Sequence, residues 1–369
     1  MRKALGLESV FLRNFSDSEP HLNETIQKCL DMLANAISMQ VRYSSVPDTW
    51  LPFQTLESLT PAPQKSTYTH ISYPIKSLSG DQIGALICGS DTAKREISPS
   101  EERLVAATGR FIASHILLVA KITRPQSDLE RDLVQTLVTN RFSQAFQPIR
   151  RLSDLSTAGF EALTRFPDLK GVDTLQAFNA ARRFGFGSQF DIHAAMQIVG
   201  NTRDTVRERG FIAFNASNQT LMLNAITTLY EWGCDGLPGE GYIIEISEQD
   251  AVENFGALRE RLVEMRALGL KLAIDDVGAG QTGLQHILRL EPDMIKIDRS
   301  VTAGIVDHKT SRAMLSALTR FGAQTDCDIV CEGVETEAEL AILRDLDVPF
   351  AQGYLLGRPA PLPELVTAA

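Results

Sequence analysis

Thiols are scarce and unpaired in this chain. Its 369 residues include five cysteines, Cys29, Cys88, Cys234, Cys327 and Cys331, and no two stand as Cys-x-x-Cys. An odd count without close pairs argues against a disulfide framework and a structural zinc site, and predicts reduced core thiols in a cytoplasmic protein. Positive charge is in deficit as well, with a net charge of -10. An acidic surface repels phosphate polymers and anionic lipid, so DNA, RNA and membrane surfaces are poor partners, whereas a small phosphorylated ligand in a local site is compatible. Long apolar runs are missing too. The chain opens Met-Arg-Lys-Ala-Leu-Gly-Leu-Glu with no signal-peptide core, and its most apolar helical stretch, 111–120, is too short and interrupted to span a bilayer.

What remains is an ordinary globular composition, long enough for a small domain followed by a barrel of roughly 250 residues. In the first part, residues 69–76 alternate like a strand, Ser77-Leu-Ser-Gly80-Asp81 turns, and 82–88 reads as the returning strand. A long helix follows, opened by the capping box Ser98-Pro99-Ser100-Glu101. This hairpin-then-helix ending resembles the GAF family of small sensor domains, which implies an α+β module for ligand sensing or dimerisation over residues 1–121. A packing module without a ligand is an equal reading, and Cys29, Cys88, His70 and His115 read as structural residues. Ile122-Thr-Arg-Pro125 breaks the helix, so 122–138 is a linker with a connecting helix and 139–369 is a second domain.

In that second domain eight short apolar runs alternate with helical stretches, for example 219–232, 251–268 and 311–325. The runs are 145–149, 159–163, 211–215, 242–246, 272–275, 294–298, 328–332 and 350–353. This pattern predicts an α/β fold, a TIM-like (β/α)8 barrel, rather than a doubly wound sheet. Each run carries a polar group at or near its end: Gln147, Glu161, Asn215, Glu245, Asp275 with Asp276, Lys296 with Asp298, Glu332 and Gln352. A barrel gathers strand ends at one mouth, where such enzymes do their chemistry. Converging carboxylates repel one another unless cations neutralise them. The donors are all oxygens, which select hard cations such as Mg²⁺ or Mn²⁺ over zinc. A surplus of acids, including a vicinal pair, suggests two ions, and paired metals suit phosphodiester hydrolysis. Lys296 can steady the nucleophile or the developing charge. Arg165 is placed for a phosphate oxygen, with a salt bridge to Asp168 as the plain alternative.

These residues carry a family resemblance. Gly159-Phe-Glu161-Ala162-Leu163-Thr-Arg165, Gln147-Pro148-Ile149, Phe214-Asn215-Ala-Ser, Ile244-Glu245-Ile-Ser-Glu248, Ile274-Asp275-Asp276, Ile295-Lys296-Ile-Asp298, Cys331-Glu332-Gly-Val-Glu335 and Ala351-Gln352-Gly-Tyr occur in order. The chain resembles the EAL-domain cyclic-di-GMP phosphodiesterases over roughly 141–365. The resemblance implies a barrel with an atypical first strand that cuts cyclic di-GMP to linear pGpG, in a protein that commonly dimerises. It implies one metal on Glu161, Asn215, Glu245 and Asp275, with Asp275 bridging to a second held by Asp276. Lys296 and Gln352 then position the attacking water, and Glu332 acts as base or as partner of metal-bound water. Gln147, Leu163 and Arg165 contact the ligand, Asp298 stands behind the metal ligands, and Glu248 anchors the loop after Asp276.

One stretch departs from that family. Its usual Asp-Asp-Phe-Gly-Thr-Gly loop here has Val277 and Ala279 for the Phe and Thr, which predicts weaker loop packing and lowered or dimer-dependent activity. A catalytically silent receptor for cyclic di-GMP is the alternative. Gly278-x-Gly280-x-x-Gly283 also fits a dinucleotide fingerprint, but two aspartates immediately before it would repel a pyrophosphate. The glycines are expected instead to turn the backbone so that Asp275 and Asp276 face one metal pair.

Overall fold

The computed structural model describes residues 9–14, 41–44, 69–76, 82–90, 127–222, 241–248, 254–279 and 283–362. The chain divides into two compact units, Met1–Thr139 and Asn140–Ala369.

In the first unit β1 (Ser9–Asn14), β2 (Val41–Ser44), β3 (Thr69–Lys76) and β4 (Gln82–Ser90) form a sheet in the order β2-β1-β4-β3. The expected hairpin is there: β3 and β4 pair antiparallel from Thr69↔Ser90 to Lys76↔Gln82. Helix α1 (Asp128–Val138) starts at Ser127, whose hydroxyl accepts from the Glu130 N–H. The helix expected at 98–121, Cys29 and His115 lie outside the described residues, as do the side chains of Cys88 and His70.

The second unit is a closed eight-stranded barrel. Its strands are β5 (Ser143–Arg151), β6 (Thr157–Arg165), β7 (Phe211–Asn215), β8 (Tyr242–Ser247), β9 (Lys271–Val277), β10 (Met294–Ile297), β11 (Asp328–Cys331) and β12 (Phe350–Ala351). Strands β6 to β12 pair parallel in chain order, whereas β5 is antiparallel to both β6 and β12. The gaps hold α2 (Thr174–Arg183), α3 (Gly187–Arg209), α4 (Asn218–Met222), α5 (Phe255–Ala267), α6 (Gly283–Leu290), α7 (Arg299–Thr302), α8 (Lys309–Thr325) and α9 (Glu337–Asp345). Strand β5 is joined to β6 as a hairpin, so the barrel departs from eight strand-then-helix repeats at its first strand, as the resemblance implied. Most of the helix expected at 219–232 lies outside the described residues beyond α4.

Local chemistry sets these boundaries. Asp173 and Thr336 each form a reciprocal capping box at the start of α2 and α9. Asp326 ends α8 in a left-handed turn, its N–H donating to the Gly322 carbonyl.

Side-chain alternation divides the barrel into two cores. Outward residues such as Ile212, Ile244, Leu272, Ile274, Ile295, Ile297 and Ile329 pack with Leu258, Leu262, Met265, Leu315, Leu318, Leu340 and Leu343 from the helices. Inward, Ile149, Ala213, Ile243, Ala273, Met294 and Val330 form an apolar layer, with Phe211 and Phe350 against it. This plugs the barrel below its mouth. Cys327 and Cys331 are free and buried, as the cysteine pattern predicts. Among the described residues no helix is long and apolar enough to cross a membrane.

Gly353 sits where two loops at the mouth touch backbone to backbone. A Cβ there would lie 2.2 Å from both the nitrogen and the carbonyl oxygen of Val334. Gly353→Ala is expected to cost about 3 kcal/mol, because rigid main chain cannot step aside as a side chain would. The check is the urea midpoint of the barrel transition; an unchanged midpoint counts against this packing.

Candidate active site at the barrel mouth

Each inward residue of the apolar layer is followed, two positions along its strand, by a polar one. Ala213 leads to Asn215, Ile243 to Glu245, Ala273 to Asp275, Met294 to Lys296, Val330 to Glu332, and Phe350 to Gln352. Strand residues two apart share a face, so one apolar layer dictates a polar layer above it. On β5 the order is reversed, Gln147 before Ile149, because that strand runs the other way and Gln147 pairs with Glu161.

Lys296 is the centre of this polar layer. It is fully buried, and four carboxylate oxygens surround its Nζ: Glu332 Oε1 at 2.7 Å, Glu245 Oε1 and Asp275 Oδ1 at 3.1 Å, and Glu161 Oε2 at 3.3 Å. These are ion contacts without hydrogen-bond angles. Burial opposes the ammonium charge, but the surrounding carboxylates outweigh it and hold the Lys296 pKa well above its usual value. Amide groups tie the acids to one another. Asn215 Nδ2 donates to Glu245 Oε2 at 3.2 Å and to Glu161 Oε1 at 3.5 Å. Gln352 Nε2 donates to Glu161 Oε2 at 2.6 Å and to Gln147 Oε1 at 2.9 Å, while Gln147 Nε2 donates to the Gly357 carbonyl at 3.0 Å.

Asp275 and Asp276 reach the mouth together through a β-bulge. Ile274 pairs with Ile295 and Val277 with Ile297, so two residues on β9 oppose one, Lys296, on β10. Asp276 takes up the extra residue with a left-handed φ of 59°. Asp276 thus makes the first left-handed step of the turn, ahead of the glycines, of which Gly280 lies outside the described residues. Gly278 has a φ of 109° one step later, where its N–H donates to Glu248 Oε2 at 2.9 Å. The Glu248 N–H in turn donates to the Asp275 carbonyl at 2.9 Å, so Glu248 grips the loop at both ends. Val277 is buried in the outer core.

The remaining candidates lie around this cluster. Leu163 and Arg165 follow Glu161 on the same face of β6, both half-buried. Arg165 donates to the Thr164 carbonyl, and the alternative salt bridge does not form, because Asp168 pairs with Arg141 at 3.4 Å. Asp298 caps α7, accepting from the Ser300 N–H at 2.8 Å, and its charge helps raise the Asp276 pKa. The motif that begins at Ala351 gave no role to two further features: the Gly357 carbonyl that orients Gln147, and exposed Tyr354, with the Arg358 guanidinium 4.3 Å over its ring.

Two groups of carboxylates could hold metal ions, Glu161 with Glu245 and Asp275, and Asp275 with Asp276 and Glu332. Within each group, one oxygen per residue lies within 4.8 Å of the others. Asp275 belongs to both. The all-oxygen donor set fits hard divalent cations, and Gln352 Oε1, buried without a partner, is a further polar atom such a site can use. Without cations three of these acids hold their protons more tightly. Burial pushes Glu332 up to about 8 and Asp276 up to about 6, neighbouring carboxylates adding to both and Lys296 opposing; burial likewise raises Glu245.

The EAL-domain pattern matches residues 130–359, well over half of the chain. The chain belongs to the EAL-domain family. The phosphodiesterase MucR, solved with c-di-GMP, shares 27% identity with this EAL chain at a TM-score of 0.58, covering 65% of this chain and 100% of that one. BlrP1 of Klebsiella pneumoniae, solved with manganese and cyclic di-GMP, shares 25% at 0.53, covering 69% and 66%. The cyclic di-GMP phosphodiesterase NbdA of Pseudomonas aeruginosa is 29% identical over 248 residues, 64% of this chain and 31% of that protein. The chain spans about a third of the length of the curated relatives it matches.

The raised carboxylate pKa values fix a sign. Folded metal-free protein binds more protons than unfolded chain between the ordinary values, 3.8 for Asp276 and 4.5 for Glu332, and the folded values of about 6 and about 8. Stability therefore falls as pH rises through that window. Chelator-treated protein should melt lower at about pH 8 than at about pH 5, and Mn²⁺ should raise the melting temperature more at the alkaline end. Differential scanning fluorimetry checks this; an equal Mn²⁺ effect at both pH values contradicts it.

Proposed function

We propose that this EAL domain hydrolyses cyclic di-GMP to linear pGpG with two divalent cations, Mg²⁺ or Mn²⁺. The observation that carries the reading is the pair of carboxylate groups sharing Asp275 around a buried lysine. Glu161, Asn215, Glu245 and Asp275 would hold one ion, and Asp275 with Asp276 the other. Bound there, the cations supply charge neutralisation for the phosphodiester and make water easier to deprotonate.

The chain's own groups do the rest. Arg165 is a half-buried cation without an ion pair among the described residues, on the strand face that leads to Glu161, and is suited to a phosphate oxygen. Leu163 lies between them, and Gln147 is held by Gln352 and the Gly357 carbonyl on the same side. Water attacks phosphorus, the bond to the ribose 3′ oxygen breaks, that oxygen takes up a proton to become a hydroxyl, and a 5′ phosphate remains. Glu332, beside the polar cluster at the mouth, takes the proton of that water. Lys296, 2.7 Å from Glu332, and Gln352 orient the water and balance the charge. Asp298 and Glu248 hold the backbone on either side of the Asp275–Asp276 bulge.

Glu161→Gln should lower turnover by at least about 100-fold while leaving nucleotide binding measurable, because a ligand charge is lost but shape is kept. Product formation from cyclic di-GMP with Mn²⁺, followed by chromatography, is the check. Wild-type protein that binds the dinucleotide and never yields pGpG sinks the enzyme reading and leaves the receptor.

The same proposal includes a reducing, cytoplasmic setting, supported by the free buried thiols Cys327 and Cys331. It also includes a homodimer, supported by exposed Val263 on α5 and Leu288 on the neighbouring α6. The first 121 residues are read as a GAF-like sensor or dimerisation domain that modulates the barrel, supported by the β3–β4 hairpin. Removing them should change turnover or the number of protomers per particle seen by sedimentation; no change in either refutes this regulatory role.

A further inference from the structure

Asn215 has a problem that the other proposed metal ligands do not share. It is exposed at the last position of β7, so no packing fixes the direction in which its carboxamide points. Its hold on Glu161 and Glu245 is long, at 3.5 and 3.2 Å. What sets its direction must be the backbone that follows.

That backbone is gripped from two sides. The Ala216 N–H donates to the Glu245 carbonyl at 2.9 Å, tying the segment to β8. On the other side stands Asp191 of α3, only 3% exposed. One oxygen of its carboxylate, Oδ2, accepts three hydrogen bonds: from the Ser217 N–H at 2.9 Å, the Ser217 hydroxyl at 2.7 Å and the Thr220 hydroxyl at 2.6 Å. The two hydroxyls are also 2.8 Å apart. A buried carboxylate is costly unless donors satisfy it, and here all three donors come from residues two to five positions beyond Asn215. Ser217 and Thr220 are themselves buried, so the network has no water to substitute for a lost partner.

We infer that Asp191 is a positioning residue that aims Asn215 at the metal site through the Ser217–Thr220 turn. The inference rests on the proposed metal-dependent reading of the mouth. Helix α3 thereby acts on the site without touching it.

The test is Mn²⁺ binding by isothermal titration calorimetry on the full chain, in a double-mutant cycle. Asp191→Ala should weaken binding about tenfold in the native background, and less than about twofold in an Asn215→Ala background. Thr220→Val should weaken binding in the same direction, and Thr220→Ser, which restores the hydroxyl, should bind as wild type does. These two carry the test if Asp191→Ala does not fold. Unchanged Mn²⁺ affinity, or an equal loss in both backgrounds, overturns the inference, because a general packing role would act without Asn215. Wild-type protein that binds Mn²⁺ but does not cleave cyclic di-GMP counts against the hydrolase reading alone; one that binds no Mn²⁺ overturns both.

Discussion

The mouth of the barrel depends on the charge balance around Lys296. Five carboxylates, Glu161, Glu245, Asp275, Asp276 and Glu332, crowd one ammonium that is cut off from water. At 3.1 Å and an effective dielectric of about 20, each contact with the lysine is worth about 5 kcal/mol of gross attraction. Desolvating that many ions and the repulsion among the acids act against it. One ammonium leaves four negative charges over, the number two divalent cations cancel. The raised values of Glu245, Glu332 and Asp276 express the same deficit in protons. A cluster assembled for stability alone would carry fewer acids or more bases.

Register turns that balance into geometry. Because strand side chains alternate, the apolar layer from Ile149 to Val330 and the polar layer from Gln147 to Gln352 are one decision, not two. A slip of one residue in any strand would place its carboxylate among the outer isoleucines and leucines, where an unpaired charge is prohibitive. Packing below the mouth thus enforces the arrangement at the mouth, although the mouth itself is electrostatically strained.

This linkage explains what was legible beforehand. Short apolar runs alternating with helices, each with a polar residue at or near its end, pointed to the barrel and to Glu161, Glu245, Asp275, Lys296, Glu332 and Gln352 at one mouth, because strand and polar end are local in sequence. Of β5 the resemblance implied only an atypical first strand; its antiparallel direction was not legible, since Gln147-Pro148-Ile149 reads equally well either way. The bulge was not legible, as it depends on how β9 meets β10. Nor was the grip of Asp191 on Ser217 and Thr220. An aspartate on a helix reads as a solvated face, and its donors lie 26 to 29 residues away in the chain.

Backbone contacts also hold the loop that departs from the family's usual motif. The described contacts that hold the loop are made by main chain: Gly278 N–H to Glu248, Ala279 N–H to the Asp276 carbonyl, and Asp298 N–H to the Val277 carbonyl. None needs a particular side chain at 277 or 279. Val277 is buried among apolar residues of the outer core, and Ala279 is exposed. A substitution harms a bulge when it removes a backbone partner or forces a bulky residue into a left-handed conformation. Here the left-handed residue is Asp276, and its partners are intact. The described contacts around Asp275 and Asp276 therefore do not depend on the side chains at 277 and 279.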